Sequence, residues 1–111
     1  MKVLKFGGTS VGTPQRMKEV AKLITDGEKK IVVLSAMSGT TNSLVEISDY
    51  LYKKNPDGAN EVINALETKY KRHINELYST EEYKNKTLAL VKDIFNGIRG
   101  ITQDIFTQHE D

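Results

Sequence analysis

Apolar residues cluster at two places near the start of the chain, which is typical of β-strands: Val3, Leu4 and Phe6 flank one lysine, and 31–34 is an unbroken apolar run. Between them, Thr13 and Pro14 favour a helix start, because threonine caps helices and proline fits the first helical position. The predicted helix extends to about Asp26, with apolar residues at helical spacing at Met17, Val20, Ala21 and Ile24. This order predicts a βαβ unit with parallel strands, and the unbroken run at 31–34 suits a strand covered on both faces.

The rest of the chain has helical periodicity. One helix is expected to begin near Thr41 or Asn42 and to end before the turn sequence at 55–58. Two long amphipathic stripes follow and predict an antiparallel helical hairpin. The first stripe consists of Ala59, Val62, Ile63, Leu66, Tyr70, Ile74 and Leu77. The second consists of Leu88, Val91, Phe95, Ile98, Thr102 and Ile105. Gly97 and Gly100 interrupt the last helix, so a close contact or a bend is expected there.

The predicted fold class is therefore α/β, with a parallel βαβ unit followed by a helical hairpin. We expect the 111 residues to form one small domain or part of one. Residues 1–54 are predicted to form a βαβα segment that carries the loops of the site. Residues 55–111 are predicted to form the helical hairpin.

Composition and charge exclude several function classes. The net charge is +1, from 16 basic and 15 acidic residues, so neither nucleic acid nor an anionic membrane is an expected partner. No cysteine is present, which excludes disulfides and thiolate metal sites and is compatible with a cytoplasmic protein. No signal peptide or transmembrane segment is expected. His73 and His109 are predicted to be surface residues, and no metal site is predicted.

The turn after the first strand has the features of an anion site. Lys5 precedes Gly7 and Gly8, and a glycine turn that leads to a helix N-terminus gathers unpaired N–H groups and the positive end of the helix dipole. These three residues are candidate phosphate ligands, with Ser10 as a further donor. The spacing matches neither the Walker A loop nor the dinucleotide-binding fingerprint. The alternative is a tight turn that needs left-handed backbone angles, with Lys5 merely solvated.

The loop after the second strand suits a small polar substrate. Ser35 directly follows the apolar run, and Thr41 lies near a helix N-terminus, where a carboxylate is favoured. Since both loops leave the carboxyl ends of neighbouring parallel strands, we expect them to open on the same edge of the sheet. The alternative is that one of Thr41, Asn42 and Ser43 only caps the helix.

Two blocks of the sequence carry a family resemblance. Lys-Phe-Gly-Gly-Thr-Ser-Val at 5–11 resembles the N-terminal signature of aspartate kinases, within the amino-acid kinase family. Val-Leu-Ser-Ala-Met-Ser-Gly-Thr-Thr-Asn at 33–42 is similar to the loop after the second strand in those enzymes. The resemblance implies the N-terminal part of an amino-acid kinase fold. Lys5 is the implied catalytic residue, and Ser35 and Thr41 are the implied ligands of aspartate. The implied ATP-binding residues are Lys5, Phe6, Gly7, Gly8 and Ser10.

The implied reaction transfers a phosphoryl group from ATP to L-aspartate, giving ADP and 4-phospho-L-aspartate in the first step toward lysine, threonine and methionine. Mg²⁺ is expected to be held mainly through the nucleotide phosphates. The family's catalytic domain is longer, so the chain resembles its N-terminal portion and is expected to be inactive alone. The alternative is an interaction fragment without nucleotide binding. Two strands leave open edges, so a homo-oligomer is expected.

Overall fold

The computed structural model describes residues 1–108 of the chain. Its elements are, in order, β1 (Lys2–Phe6), α1 (Pro14–Ile24), β2 (Lys30–Leu34), α2 (Thr40–Tyr52), α3 (Pro56–Leu77) and α4 (Glu81–Gln108). This order confirms the predicted α/β class. The chain divides into two compact units, Met1–Thr40 and the part from Thr41 onward. The second unit thus includes α2 together with the hairpin, whereas the functional division at residue 54 stays a prediction.

β1 and β2 form a two-stranded parallel sheet in which Phe6 pairs with Leu34, as the βαβ pattern predicts. The prediction that β2 is covered on both faces is wrong. Ile31 is 50% exposed, Val33 46% and Leu34 57%, and Val3 on the neighbouring strand is 66% exposed. The reason is that this unit supplies only one helix and one neighbouring strand, which cannot cover both faces of β2.

The boundaries of α1 follow from local side-chain chemistry. The Thr13 hydroxyl accepts a hydrogen bond from the N–H of Arg16 at 3.2 Å, and Pro14 occupies the first helical position, as predicted. After the helix, the side chain of Lys30 forms an ion pair with Asp26 at the turn into β2. This hydrogen-bonded ammonium lowers the pKa of the Asp26 carboxyl. The turn and the cap together fix where α1 begins and where the chain re-enters the sheet.

α3 and α4 pack as an antiparallel hairpin, which confirms the prediction. The Tyr70 ring lies 5.6 Å from the Phe95 ring, and Arg99, later in α4, reaches back to Glu67, earlier in α3. All the predicted inward residues of both stripes are buried or half-buried. Helix α2 adds its own apolar side chain to the core cluster, which consists of Ile47, Ile63, Leu66 and Phe95.

One half-buried ion pair links the two helices of the hairpin. Arg99 Nη2 donates to Glu67 Oε1 at 2.7 Å and to Asn64 Oδ1 at 2.8 Å, while Nη1 donates to Glu67 Oε2 at 3.3 Å. The Glu67 side chain is only 12% exposed. The guanidinium holds the pKa of Glu67 below its ordinary value, and the carboxylate raises the pKa of Arg99. A bidentate contact of this kind fixes the helices at one register.

Glycines in the second unit lie in contrasting surroundings. Gly58 is buried against Tyr50, and a Cβ added at Gly58 would lie 2.5 Å from the Cδ1 atom of that ring. Its N–H donates to Asn55 Oδ1 at 3.0 Å, which caps α3. In contrast, a Cβ added at Gly97 or Gly100 would meet nothing within 4 Å. Of the close contact or bend expected at these two glycines, the close contact is therefore not found, because their side of α4 is open.

His73 is half-buried, which corrects the prediction of a surface residue. Its Nδ1 atom is buried and has no hydrogen-bond partner within the described residues. The next residue, Ile74, is buried, whereas the charged neighbours of His73 in the sequence suggested full exposure. Burial lowers the pKa of His73; Lys69 and Arg72 add to this effect, and a nearby carboxylate opposes it. The second histidine, His109, lies outside the described residues.

Candidate functional site

The turn between β1 and α1 closes on the carbonyl of Gly7. The N–H groups of Ser10 and Val11 donate to this oxygen at 3.0 and 3.2 Å. Over residues 1–108, the N–H groups of Gly7 and Gly8 donate to no protein acceptor. Two amide donors therefore remain unpaired at the positions where the sequence predicts phosphate binding.

The backbone conformation does not explain the glycine at position 7. In the described chain, the glycines with left-handed φ angles are Gly27 and Gly39, and neither Gly7 nor Gly8 is among them. A Cβ added at Gly7 would meet nothing within 4 Å, so the surrounding protein would also accept a side chain. The alternative of a tight left-handed turn is therefore not supported. The remaining physical reason for glycine at position 7 is that it leaves space for a group that approaches the backbone.

Lys5 lies in β1 opposite Val33, and its side chain is exposed. Strand alternation places it on the same face of the sheet as Val3, which is also exposed. Among the described residues, Lys5 has no ion pair or hydrogen bond through its ammonium group. The ammonium is accessible to an anion, and this exposure fits both the predicted phosphate contact and the solvated alternative.

The second loop lies beside the glycine turn. The N–H of Ser35 donates to the carbonyl of Phe6 at 3.0 Å, which continues the strand pairing one residue past β2. A Cβ added at Gly8 would lie 3.5 Å from the carbonyl oxygen of Ala36. The two loops therefore meet at one edge of the sheet, as predicted. The predicted residues that this edge brings together are Lys5, Phe6, Gly7, Gly8, Ser10 and Ser35.

Thr41 belongs to the second compact unit, where it is exposed in the first turn of α2. The helix begins at Thr40, whose N–H donates to the carbonyl of Met37 at 3.2 Å. Thr41, Asn42 and Ser43 consequently lie inside the helix. The alternative that one of them is the N-cap is wrong, because a cap precedes the first helical residue. The role of Thr41 in aspartate binding stays a prediction.

Gly12 was not among the predicted site residues, yet it lies between the two loops. It is buried, and a Cβ added there would be 2.7 Å from the carbonyl oxygen of Gly8 and 3.1 Å from the Cβ of Ser38. In the sequence it had no distinguishing signal, because a glycine shortly before a helix cap is an ordinary turn residue.

Neither a metal cluster nor a membrane span emerges from the described residues. Over positions 1–108, no three or more histidine, aspartate or glutamate side chains are grouped closely enough to hold a metal ion. The helices within the same range are too short or too polar to cross a membrane.

Comparison with known proteins assigns these loops to a family. The sequence profile of the Amino acid kinase family matches residues 1–97. Aspartokinase 3, chloroplastic, from Arabidopsis thaliana is 58% identical over 45 residues, which are 39% of this chain and 8% of that protein. Aspartokinase from Pseudomonas aeruginosa is 43% identical over 56 residues, which are 47% of this chain and 14% of that protein.

A longer alignment covers nearly the whole chain. The bifunctional aspartokinase/homoserine dehydrogenase of Haemophilus influenzae is 36% identical over 112 aligned positions, which are 95% of this chain and 13% of that protein. The chain spans between 8% and 14% of the length of these three relatives. The family match includes both loops, α1, α2 and α3. The chain belongs to the amino acid kinase family.

Proposed function

We propose that the chain is the N-terminal part of an aspartate kinase and that its glycine turn binds the terminal phosphates of ATP. Two amide donors, at Gly7 and Gly8, and one ammonium, at Lys5, supply the positive potential. The names of the relatives support aspartate as the acceptor, because those proteins are aspartokinases. In this reaction a carboxylate oxygen of aspartate attacks the γ-phosphorus, the bond to the β-phosphate oxygen breaks, and ADP leaves.

The observation that carries this proposal is the surroundings of Gly7. Its amide has no acceptor within the described chain, its φ angle is not left-handed, and a side chain would meet no protein atom within 4 Å. An unpaired amide beside open space is suited to bind an anionic ligand that must approach the backbone closely. A side chain at this position would occupy the space of the ligand and not that of the protein.

Charge neutralisation and alignment are the main requirements of phosphoryl transfer. The two amides are fixed dipoles on a backbone held by the Ser10 and Val11 hydrogen bonds, so they need no reorganisation as negative charge moves toward the leaving group. Lys5 adds a mobile full charge from the exposed face of β1. We assign it the catalytic role because an ammonium can follow the transferred oxygens, whereas the amides cannot.

The turn fits the phosphates of a Mg²⁺–nucleotide complex. Its unpaired N–H groups and ammonium are donors to phosphate oxygen and not ligands for a cation, so the metal would be held mainly by the nucleotide. Held in this way, the metal would offset the negative charge of the phosphates. Ser10 is the proposed further donor, and Phe6 holds the turn at the sheet edge through its bond to Ser35.

Ser35 and Thr41 are the proposed ligands of the aspartate substrate. Ser35 is exposed directly after β2, and Thr41 is exposed in the first turn of α2, where the helix dipole favours a carboxylate. The first step toward lysine, threonine and methionine is the proposed pathway position. We also propose a cytoplasmic location. Cell fractionation is needed to test it, because one relative is named as chloroplastic.

Calorimetric titration with Mg²⁺–ATP tests the phosphate site. Wild-type chain is expected to bind weakly, with a Kd on the order of 1 mM, since three charge-assisted donors offset the cost of association only modestly. Lys5→Met should weaken binding about tenfold. Lys2→Met is the matched control, because Lys2 is also exposed on β1 but lies three residues before Lys5. Equal effects of the two substitutions would contradict the assignment of Lys5.

Activity of the chain by itself provides a separate test. The chain covers a small fraction of its aspartokinase relatives, and we propose that it lacks the groups needed to complete the reaction. No aspartate-dependent release of ADP is therefore expected. Steady-state turnover by the isolated chain would show that the two loops suffice for catalysis.

A second candidate is an interaction fragment, and exposed apolar residues favour it. Val3, Ile31 and Val33 project from one face of the two-stranded sheet and are 46–66% exposed. Such a face and the open strand edges favour association, so a homo-oligomer is also proposed. Sedimentation velocity of the wild type and of Val33→Glu distinguishes the candidates. Association that Val33→Glu abolishes, without any nucleotide binding in the wild type, would favour the interaction fragment.

A further inference from the structure

Gly12 lies where the glycine turn and the second loop are close together. A Cβ added at this position would lie 2.7 Å from the Gly8 carbonyl oxygen, and real Cβ atoms essentially never come within 3.0 Å of another heavy atom. The Ser38 Cβ, in the loop after β2, would be 3.1 Å away, which is closer than nine in ten real contacts. One missing methyl group therefore lets both loops occupy their observed positions.

We infer that Gly12 is a positioning residue that sets the orientation of the Gly8–Thr9 peptide and couples the glycine turn to the second loop. The inference rests on the proposed function for its consequence, because Gly8 belongs to the proposed phosphate site. Gly12 itself does not touch the nucleotide. It acts through the backbone of Gly8 on one side and through Ser38 on the other.

The need for glycine at position 12 is steric. Its φ angle is outside the left-handed region, so alanine could adopt the local backbone conformation. The closest neighbour of the added methyl is a backbone carbonyl, which cannot rotate away as a long side chain can. The Gly8–Thr9 peptide must therefore move, and the backbone angles of Gly8, which join this peptide to the one that carries the Gly8 N–H, must change with it. Because a close-packed segment transmits such a shift, the loop at Ser38 must give way as well.

Neighbouring glycines provide internal comparisons. A methyl at Gly8 would be 3.5 Å from the Ala36 carbonyl oxygen, an ordinary contact distance, and a methyl at Gly7 would meet no protein atom. Gly7→Ala should therefore leave both loops in place and hinder only the ligand. Gly12→Ala should displace both loops even when no ligand is present. The two substitutions thus separate loop positioning from ligand contact.

The test uses amide NMR spectra of the whole chain, first without nucleotide. Gly12→Ala is expected to shift the Gly8 and Ser38 resonances, whereas Gly7→Ala should leave the Ser38 resonance unchanged. Gly97→Ala, at an open position in α4, is the control for a methyl group without a clash. An unchanged Ser38 resonance in Gly12→Ala would overturn the inference, whether or not the wild-type chain binds ATP.

The second step measures Mg²⁺–ATP affinity of the same variants. Gly12→Ala is expected to weaken binding about tenfold, the effect of misaligning one charge-assisted donor. The double substitution Gly12→Ala with Ser38→Gly removes one of the two clashes and should recover part of the affinity and of the Gly8 shift. If wild-type chain does not bind ATP, the proposed function fails for this chain while the NMR comparison still decides the role of Gly12.

If Gly12→Ala does not fold, the double variant still tests the inference. Should the single substitution remove the dispersed signals of β1 and β2, their recovery in the double variant would identify Ser38 as a clash partner and support the inference. Because the clash with the Gly8 carbonyl remains in the double variant, no recovery at all would assign the whole effect to that carbonyl and would contradict the coupling to the loop at Ser38.

Discussion

Three glycines in one turn illustrate how the same residue type serves different physical needs. At Gly7 the amide is unpaired and an added methyl group would meet no protein atom within 4 Å. At Gly8 an added methyl group would make only an ordinary contact with the second loop, and at Gly12 there is no room for one. None of the three is required by a left-handed φ angle. The sequence shows only that each is glycine, so the distinction between ligand access and loop packing depends on the coordinates.

His73 gives a residue-scale prediction for pH dependence. Because burial lowers the pKa of its imidazole below the ordinary value of 6.5, the unfolded chain binds a proton at this site more readily than the folded chain. The His73 contribution to stability is thus fully present above pH 6.5 and is lost as the pH falls through 6.5 toward the lower folded-state pKa. Urea unfolding of wild type and His73→Gln should be measured between about pH 5 and about pH 8. As the pH falls, the free energy of unfolding should decline less in the variant than in the wild type.

The difference between the two curves isolates His73 from the other titrating groups. Lys69, Arg72 and Glu76, whose charges act on the imidazole, are present in both proteins, and so is His109. Parallel curves for wild type and His73→Gln over this pH range would show that the imidazole is equally solvated in the folded and unfolded chains.

Two glycines in helices give a prediction at the scale of elements, with opposite signs. Gly58→Ala should destabilise the second unit by about 1–3 kcal/mol, because the added methyl overlaps the Tyr50 ring. Gly97→Ala should stabilise it by about 0.5–1 kcal/mol, because the methyl enters open space and alanine is the better helix former. Thermal and urea unfolding measure both changes. Equal signs would mean that helix propensity, and not local packing, governs these positions.

Elements that depend on neighbouring residues were predictable from the sequence. Thr13 and Pro14 specify the start of α1, where the Thr13 hydroxyl and the Arg16 N–H that bonds to it are only three residues apart. The stripes of α3 and α4 identify the faces that pack. The coverage of β2 was not predictable, because an apolar run does not show which layers the chain supplies. The expected close contact at Gly97 and the expected surface position of His73 failed for the same reason, since both depend on which partners reach one side of a helix.

The candidate site was predictable to a similar depth. Parallel pairing of β1 and β2 brings the two loops to one edge, so topology alone placed Gly8 near the loop after Ser35. The role of Gly12 was not predictable, because a clash distance is a property of the folded backbone. The capping role expected within 41–43 failed because α2 begins at Thr40, and helix ends are uncertain by one or two residues in a sequence pattern.

At the scale of the whole molecule, the two compact units differ in their buried cores. In the part of the chain that the structure describes, the first unit buries Val11 and Val20, whereas the second buries a larger set of apolar side chains. These are Ile47, Ala59, Ile63, Leu66, Ile74 and Phe95. Native-state hydrogen exchange should therefore show higher protection in α3 and α4 than in β1 and β2. Equal protection in both units would mean that they unfold as one cooperative structure.

The central claim is that unpaired amides at Gly7 and Gly8 receive the phosphates of a nucleotide. Titration of ¹⁵N-labelled chain with Mg²⁺–ATP, followed by amide NMR, tests it most directly. The account predicts that the Gly7 and Gly8 resonances show the largest shifts, that Gly7→Ala reduces these shifts, and that amides in α3 and α4 remain unchanged. Shifts confined to other residues, or none at Gly7 and Gly8 at saturating nucleotide, would contradict it.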